Sequence, residues 1–452
     1  MYTTLIATVA ALGGLLFGFD TGVIAGAMLF IVPDFHLGPA QQGLVVSAVT
    51  FGALFGALVG GTSSDAIGRR RTNIAAGLSF VAGSVFSALA PNVDVLIASR
   101  VLIGLAIGLT SVAAPMYIAE LSPPRNRGKL VSLFQLAITV GILVSYTVDR
   151  ALAPEHAWRW MLGLAFIPGA LLVLGMIAMP ESPRWLLKTG SEEAARRALS
   201  LVRSPDEIDA EVREIHEDLA HNLPAAWSEL LMPGLRPALL VGVGLAVFQQ
   251  VTGINTIIYY APQIFQRAGL DSATTALAAT AGIGVVNVLS TLIAIWLVDR
   301  VGRKPLLLAG LVGMTLSLAA LGAAQSFGST FDVNQHWLAP ITVGFIGLYI
   351  VCFAFSLGPV VWLMISEIFP NRARARAAGI STAANWTANF FVSLSFPVLQ
   401  ATIGPWLWFL YAAMGVAALI FILDWVPETK GKSLEDISRQ WRTAQVGVGV
   451  DH

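Results

Sequence analysis

The chain has 452 residues, of which 56% are hydrophobic and only 12% charged, and its mean hydropathy is +0.73. Soluble domains carry about 25% charged residues, so a chain this apolar needs lipid to cover its surface. The formal net charge is zero, which excludes a global field that would attract nucleic acid or an acidic partner. The single cysteine, Cys352, excludes an intrachain disulfide framework, and no histidine spacing fits a metal site.

Twelve windows of roughly 20 mainly apolar residues predict twelve membrane-spanning helices, because each backbone amide inside lipid needs an internal partner. The first window lacks a basic leader and a cleavage site, so we expect a retained span and not a signal peptide. The predicted windows are 5–31, 43–63, 72–90, 94–119, 129–149, 159–179, 237–266, 274–298, 304–325, 338–366, 376–402 and 405–426.

The basic residues predict the orientation of these spans. All but four of the 27 Lys and Arg lie in one set of alternate loops or in the C-terminal tail, the exceptions being Arg100, Arg150, Arg159 and Arg267. Basic loops remain on the cytoplasmic side, so both termini are expected to be cytoplasmic. The long polar segment 188–235 is predicted to form two to four short amphipathic helices on this side, as a solvated linker or as a gating element.

The chain also repeats itself. DAIGRRR at 65–71 returns as DRVGRKP at 299–305, AELSPPRNRG at 119–128 as SEIFPNRARA at 366–375, and PESPRWL at 180–186 as PETKGKSL at 427–434. Internal duplication of this length predicts two similar six-helix bundles around a central substrate cavity. The expected domains are an N-terminal bundle at 1–187, a cytoplasmic helical linker at 188–235, and a C-terminal bundle with a short tail at 236–452.

Motifs spread over the whole chain form one consistent set. They are GTSSDAIGRRR at 61–71, RVLIGLAIG at 100–108, PESPRWL at 180–186, QQVTGIN at 249–255, GPVVW at 358–362 and PETKG at 427–431. The set resembles the signatures of the sugar porters of the major facilitator superfamily, although Arg374-Ala375 stands where an Arg-Gly pair is usual. The resemblance implies an all-α membrane protein with twelve transmembrane helices in two pseudo-symmetric bundles, which transports by alternating access.

Neutral polar and aromatic side chains inside the apolar windows predict a sugar site. Amides donate and accept hydrogen bonds as sugar hydroxyls do, and aromatic rings cover the apolar face of a sugar. An anionic substrate would instead call for an arginine or a free helix N-terminus. The alternative is that the amides only join helices. The positions, which match the sugar-contacting residues of the family, are Gln135, Gln249, Gln250, Asn255, Tyr259, Asn287, Trp362, Asn385 and Trp386.

Asp20 and Arg100 are the only two charges expected deep inside the apolar windows. Charged groups in membranes usually pair, so each is the natural partner of the other. Burial favours the protonated form of Asp20 and the guanidinium favours the ionised form, so Asp20 can gain and lose a proton while Arg100 stays charged. The resemblance adds that proton-coupled sugar porters carry Asp at this position. The alternative is a purely structural ion pair.

Charged side chains at the basic ends of the spans predict a salt-bridge latch between the two halves, which the family's mechanism opens and closes on the cytoplasmic side. The alternative is a set of ordinary surface pairs, each contributing about 0–1 kcal/mol. The residues are Asp65, Arg69, Glu120, Arg127, Glu181, Arg184, Asp299, Arg303, Glu367 and Arg374.

These interpretations together predict a proton-coupled monosaccharide symporter of the cell membrane, with glucose as the first candidate and xylose and galactose next. The sequence has no phosphate-binding loop and no nucleophile elbow, so neither an enzyme nor a cofactor is expected. A passive sugar uniporter and a non-transporting sugar sensor are the alternatives, and the short expected tail disfavours the sensor. A drug exporter would need a less amide-lined cavity. No obligate protein partner is implied.

Overall fold

The computed structural model describes residues 2–123, 125–221, 229–230, 232, 235–327, 335–369 and 371–430. Within these residues the chain is helical and has no strand. It divides into two compact units, Met1–Leu223 and Pro224–His452. Parts of the predicted segment 188–235 and the whole tail from residue 431 lie outside the described residues.

The first unit fills the first six predicted windows with helices. Five of these spans are single helices, and the sixth is the pair α6 and α7. Three shorter helices, α8 to α10, follow. The bounds are α1 (Tyr2–Phe35), α2 (Pro39–Ile67), α3 (Arg69–Ala88), α4 (Val93–Leu121), α5 (Arg127–Leu152), a 3-10 turn (Ala153–Glu155), α6 (Trp158–Gly163), α7 (Phe166–Ala178), α8 (Pro183–Lys188), α9 (Glu192–Ser200) and α10 (Pro205–His221).

The second unit fills the other six windows. Its seventh and tenth spans are broken into the pairs α11–α12 and α15–α16. The bounds are α11 (Arg236–Val251), α12 (Ile254–Arg267), α13 (Ala273–Val301), α14 (Arg303–Phe327), α15 (Gln335–Phe355), α16 (Leu357–Glu367), α17 (Asn371–Ile403) and α18 (Trp406–Trp425). Ten of the twelve spans are long and apolar enough to cross a membrane by length and composition, and α3 and α17 fill the other two windows. The all-α membrane architecture is therefore confirmed.

Glycine allows helices of the first unit to approach at backbone distance. A Cβ atom on Gly18 of α1 would lie 1.9 Å from the carbonyl oxygen of Ile138 on α5. A Cβ atom on Gly104 of α4 would lie 2.1 Å from the carbonyl oxygen of Val49 on α2. Any larger residue would push these helices apart, so close helix packing explains why this membrane chain is rich in glycine.

The seventh span breaks at Gly253, whose φ of 93° is a left-handed conformation that favours glycine. The ring of Tyr411 lies against this residue, 2.9 Å from where a Cβ atom would stand. The hydroxyl of Tyr349 donates to the carbonyl oxygen of Thr252 at 3.0 Å and so satisfies a backbone group at the break. The break leaves polar side chains of α11 and α12 facing one another.

Helices α8 to α10 form a small layer with its own apolar core, made of Leu187, Ala195, Leu199 and Val212. Helices α9 and α10 each begin with two acidic residues in the first turn, Glu192 and Glu193 in α9 and Asp206 and Glu207 in α10, where the positive end of the helix dipole favours them. The prediction of short amphipathic helices within 188–235 is confirmed for the part of that segment that the structure describes.

Arg203 attaches this layer to the end of α4. Its side chain is 4% exposed and pairs with both carboxylate oxygens of Glu211. The same guanidinium donates to the carbonyl oxygens of Leu121 and Ser122, each at 3.2 Å. Carbonyls at the end of a helix have no partner within it, and a cation there also meets the negative end of the helix dipole.

We expect Arg203→Ala to lower the free energy of unfolding by about 2 kcal/mol, because hydrogen bonds to charged groups contribute about 1.5–3 kcal/mol. Glu211 would also lose its cation. Thermal or denaturant unfolding in detergent measures the effect. Arg213→Ala, on the exposed face of α10, is the matched control and should change stability by less than about 0.5 kcal/mol. Equal stability of wild type and Arg203→Ala would contradict this attachment.

Candidate functional site

Asp20 and Arg100 form a buried ion pair in the first unit. Asp20 lies on α1 and is 2% exposed, and Arg100 lies on α4 and is 0% exposed. The two guanidinium nitrogens Nη1 and Nη2 are 3.3 and 3.4 Å from the carboxylate oxygens Oδ1 and Oδ2. The structure thus brings together the two residues that the sequence suggested as partners.

Arg100 has a second anchor that does not depend on Asp20. Its Nε donates to the carbonyl oxygen of Val45 on α2 at 2.8 Å. Charge-assisted hydrogen bonds usually measure about 2.7–2.9 Å, so the contact to Val45 is tight and the contacts to Asp20 are long. The guanidinium is therefore held on α2 as well as on α1.

A second carboxylate, Asp149 of α5, is buried as deeply as Asp20 and is 0% exposed. Its Oδ2 accepts a hydrogen bond from the backbone N–H of Gly26 on α1 at 3.2 Å. Asp20 is therefore not the only fully buried carboxylate of the spans. Sequence reasoning missed Asp149 because it closes the fifth predicted window and precedes Arg150, a combination typical of a span that has reached water.

Four predicted amides meet at the break between α11 and α12. Nε2 of Gln250 donates to Oδ1 of Asn385 at 3.2 Å, and Nδ2 of Asn255 donates to Oε1 of Gln250 at 2.7 Å. Nδ2 of Asn385 donates to Oε1 of Gln249 at 2.8 Å. Gln249 in turn donates to the carbonyl oxygen of Leu357 at 2.8 Å. This amide cluster offers donors and acceptors from α11, α12 and α17 in one place.

Three predicted aromatic residues lie on α12, α17 and α16. Tyr259 on α12 is buried, and its hydroxyl is 3.5 Å from Nδ2 of Asn389. Trp386 on α17 is buried, whereas Trp362 on α16 is 37% exposed and so has a large free ring surface. Asn389 was not predicted. It lies four residues after Asn385, so helical spacing from a known candidate was the signal that could have found it.

Two further predicted positions do not join the amide cluster. Asn287 on α13 is buried and makes no hydrogen bond to the cluster within the described residues. Gln135 lies on α5 of the first unit and is half-buried. Their roles as sugar contacts stay predictions.

Three of the predicted latch residues form one network at the basic end of the first unit. The guanidinium of Arg69 is 2.9 Å from Oδ1 of Asp65 and 3.0 Å from Oε2 of Glu120. Glu181 takes a different role, because its Oε1 accepts the backbone N–H of Arg70 at 3.0 Å. It binds the start of α3, and it forms no ion pair with a basic side chain among the described residues.

The second unit repeats this arrangement. Arg303 pairs with Glu367 at 2.8 Å. Glu428, at the position equivalent to Glu181, accepts the backbone N–H groups of Arg303 and Lys304 at 3.1 and 3.0 Å. The internal repeat of the sequence therefore extends to individual hydrogen bonds.

The remaining predicted latch residues have other surroundings. Arg184 pairs with Asp218 of α10, and Arg374 donates to a backbone carbonyl oxygen at 3.3 Å. Arg127 is exposed and has no ion pair in the part of the chain that the structure describes. The side chain of Asp299 lies outside the described residues. A latch between the halves stays a prediction, because each ion pair reported above joins residues of one unit.

Glu428 lies beyond the last span, and its pKa is shifted. Partial burial raises the pKa, but hydrogen bonds from the backbone N–H groups of Lys430, Arg303 and Lys304 outweigh this and hold it below the ordinary value of 4.5. A carboxylate with a lowered pKa stabilises the fold above its unfolded-state pKa. That stabilisation is lost as the pH falls through the folded-state pKa.

We therefore expect Glu428→Gln to be less stable than wild type at pH 7, and the difference to close as the pH falls below about 4.5. Denaturant unfolding at a series of pH values measures this difference. Glu193→Gln is the control, because Glu193 is 88% exposed, and it should show no such pH-dependent gap. A gap that stays constant down to acid pH would contradict the role of the carboxylate charge.

The sequence matches the protein family described as "Sugar (and other) transporter" over residues 6–441. The chain belongs to this family. Proteins of this sugar transporter family are not enzymes, which confirms that part of the sequence interpretation. The residues predicted from the sugar porter motifs therefore lie in a member of that family.

Known sugar transporters resemble this member along nearly its whole length. It is 42% identical to the glucose transporter GlcP of Staphylococcus epidermidis over 439 residues, which is 97% of each chain. It is 43% identical to the galactose-proton symporter of Escherichia coli over 440 residues, 97% of this chain and 94% of that one. A structure of the proton:xylose symporter XylE bound to 6-bromo-6-deoxy-D-glucose has a TM-score of 0.81 and 35% identity, covering 97% and 99% of the chains.

Proposed function

We propose that this sugar transporter is a proton-coupled monosaccharide symporter that works by alternating access. Its first candidate substrate is glucose, with xylose and galactose next. The observation that carries the proposal is the Asp20–Arg100 pair, an ionisable carboxylate 2% exposed within an apolar span. Ionisable groups inside membrane helices mark proton relays and ion pathways.

Protonation of Asp20 is the proposed coupling step. The neutral acid no longer attracts the guanidinium of Arg100, which stays bound to the carbonyl oxygen of Val45. Helix α1 then loses its electrostatic tie to α4, and the first unit becomes free to change its packing as the sugar site opens or closes. Loss of the proton on the other side of the membrane restores the pair and resets the cycle.

The amide cluster is the proposed centre of the sugar site. Its amides hydrogen-bond to one another. A sugar replaces these bonds with its own hydroxyls, which also donate and accept. The relatives that transport glucose, galactose and xylose support a neutral monosaccharide as the substrate. The proposed contacts are Gln135, Gln249, Gln250, Asn255, Tyr259, Asn287, Trp362, Asn385 and Trp386.

The proposed placement is the cell membrane, with both termini in the cytoplasm. The support is the set of basic loops, which include Arg69 and Arg303. The two repeated networks around these arginines would then lie at the cytoplasmic ends of the bundles, as parts of the inner gate. We keep the proposed domains as bundles at 1–187 and 236–452 joined by the helical linker 188–235.

Purified protein in proteoliposomes tests the proposal. Counterflow of labelled glucose, challenged with unlabelled glucose, xylose, galactose and arabinose, identifies the sugar. Addition of that sugar to the outside of vesicles should then make the outer medium more alkaline as protons enter. Sugar exchange without any change in outside pH would select a passive uniporter, and absence of both would select a non-transporting sensor.

Gln250→Ala is expected to raise the KM for sugar by about tenfold or more. A lost hydrogen bond contributes about 0.5–1.5 kcal/mol and an unpaired buried partner costs about 1–3 kcal/mol, while 1.4 kcal/mol is a factor of ten. Initial rates of exchange over a range of sugar concentrations measure it. Gln263→Ala is the matched control, since Gln263 lies on α12 outside the cluster. Equal KM values for the two variants would contradict the site.

A further inference from the structure

Helices α1 and α5 enclose Asp149 at the end of their interface. The side chain is 0% exposed. A Cβ atom on Gly26 would lie 2.4 Å from the carboxyl carbon of Asp149, so the carboxyl group fits only because residue 26 is glycine. Oδ2 accepts the N–H of Gly26, and Oδ1 has no hydrogen-bond partner within the described residues.

The elements packed against α5 offer this carboxyl group no cation. They are α1, α4, α6 and the 3-10 turn. None of their charged or titratable groups, nor those of α5 itself, forms an ion pair or hydrogen bond with Asp149 in the described structure. At this end of the bundle these groups are Asp34, Asp94, Arg100, Tyr146, Arg150, Glu155, His156 and Arg159.

The three arginines among them are engaged elsewhere. Arg100 binds Asp20 and a backbone carbonyl of α2. Arg159 donates to the carbonyl oxygen of Ala90 at 2.7 Å, and its guanidinium lies over the ring of the preceding tryptophan. Arg150 is exposed and follows Asp149 directly, so it points about 100° away around the helix.

We propose that Asp149 is a second proton-binding site, at which Oδ1 carries the proton and the residue is a neutral carboxylic acid at pH 7. An ionised carboxylate without water, cation or full hydrogen bonding is strongly disfavoured, and the neutral acid removes the charge. Oδ2 is then the carbonyl oxygen of the acid, which is the better acceptor for the N–H of Gly26. The proton comes from water as the helices pack.

This proton stays out of the transport cycle. Between the levels of Asp20 and Asp149, a Cβ atom on Gly22 would lie 2.0 Å from the hydroxyl oxygen of Ser145. Helices α1 and α5 are therefore closely packed between the two carboxylates. Asp149 therefore holds its proton while Asp20 exchanges one. The proposed protonation of Asp149 does not depend on the proposed transport function. The statement that this proton takes no part in coupling does rest on that function.

Infrared difference spectroscopy in lipid at pH 7 tests the site. The spectrum of wild type minus Asp149→Asn should show the C=O stretching band of a protonated acid. The control is Asp94→Asn, since Asp94 is exposed in the first turn of α4, and its difference spectrum should show the bands of an ionised carboxylate. Carboxylate bands in the Asp149→Asn difference would overturn the proposal.

Folding of Asp149→Asn and its proton-to-sugar ratio provide two further tests. Asn has the shape of the neutral acid and accepts the same N–H, so failure of Asp149→Asn to fold would also count against a neutral Asp149. In proteoliposomes the variant should take up as many protons per sugar as wild type. A lower ratio with the acid band present would show that this proton is exchanged, which contradicts its exclusion from the cycle. If wild type moved sugar without protons, the proposed proton coupling would be wrong, but the proposed neutral state of Asp149 would not be affected.

Discussion

The Asp20→Asn variant is expected to exchange sugar across the membrane and to lose proton-driven accumulation completely. Asn keeps the shape of the side chain, and its oxygen still accepts a hydrogen bond from Arg100, so the protein should fold and the sugar site should stay intact. What Asn cannot do is ionise. The ion pair can then neither form nor break with the proton gradient, so sugar moves only down its own gradient.

Two assays in proteoliposomes measure sugar exchange and proton-driven accumulation separately. Counterflow without a proton gradient reports exchange, and uptake with an imposed gradient reports accumulation. Asp34→Asn is the matched control, because Asp34 lies on the same helix, where it accepts the indole N–H of Trp158. It should retain both activities. Undiminished gradient-driven uptake by Asp20→Asn would reject Asp20 as the coupling site and leave the pair with a structural role only.

The positions of the spans could be predicted because lipid imposes a simple rule on composition and length. The windows 237–266 and 338–366 were found on that basis, but hydropathy did not show that each is broken. The break at Gly253 depends on the ring of Tyr411 and the hydroxyl of Tyr349, which come from other spans. Contacts with residues of other spans do not change the mean hydropathy of a window, so hydropathy cannot reveal the break.

The candidate site was predictable where chemistry alone restricts the choice. A carboxylate or an amide in an apolar span needs a partner, and this singled out Asp20, Gln250 and Asn385. The roles of Glu181 and Glu428 were harder to predict from the sequence, because their partners are backbone N–H groups. Any residue type offers such a group, so the expectation of pairing with basic side chains was the natural one.

The glycines before these basic helices explain why the two acids bind backbone. Gly68 and Gly302 have φ values of 98° and 110°, in the region that favours glycine. A Cβ atom would lie 2.3 Å from Oε2 of Glu181 in one unit and 2.9 Å from Oε2 of Glu428 in the other. Each glycine thus lets a carboxylate reach the first N–H groups of the next helix, where the helix dipole favours negative charge.

Arg100→Met is expected to lower the free energy of unfolding by about 3–5 kcal/mol, because removing one partner of a buried ion pair leaves Asp20 as an uncompensated charge or as an acid that must take up a proton at pH 7. Asp20 is 2% exposed, and no other cation pairs with it in the described structure. Methionine retains much of the volume and apolar character of the arginine stem, so the loss reports charge more than packing. Unfolding in detergent measures it, and Arg150→Met, on an exposed position, should change stability by less than about 0.5 kcal/mol.

A double-mutant cycle separates the pair from its surroundings. If Arg100→Met leaves Asp20 without a partner, then Asp20→Asn in the same chain removes both the unpaired charge and the cost of protonating it, and should restore much of the lost stability. The two substitutions together would then destabilise less than the sum of their separate effects. Strictly additive effects would mean that Asp20 and Arg100 do not sense each other. The same result would remove the electrostatic tie between α1 and α4 on which proton coupling depends.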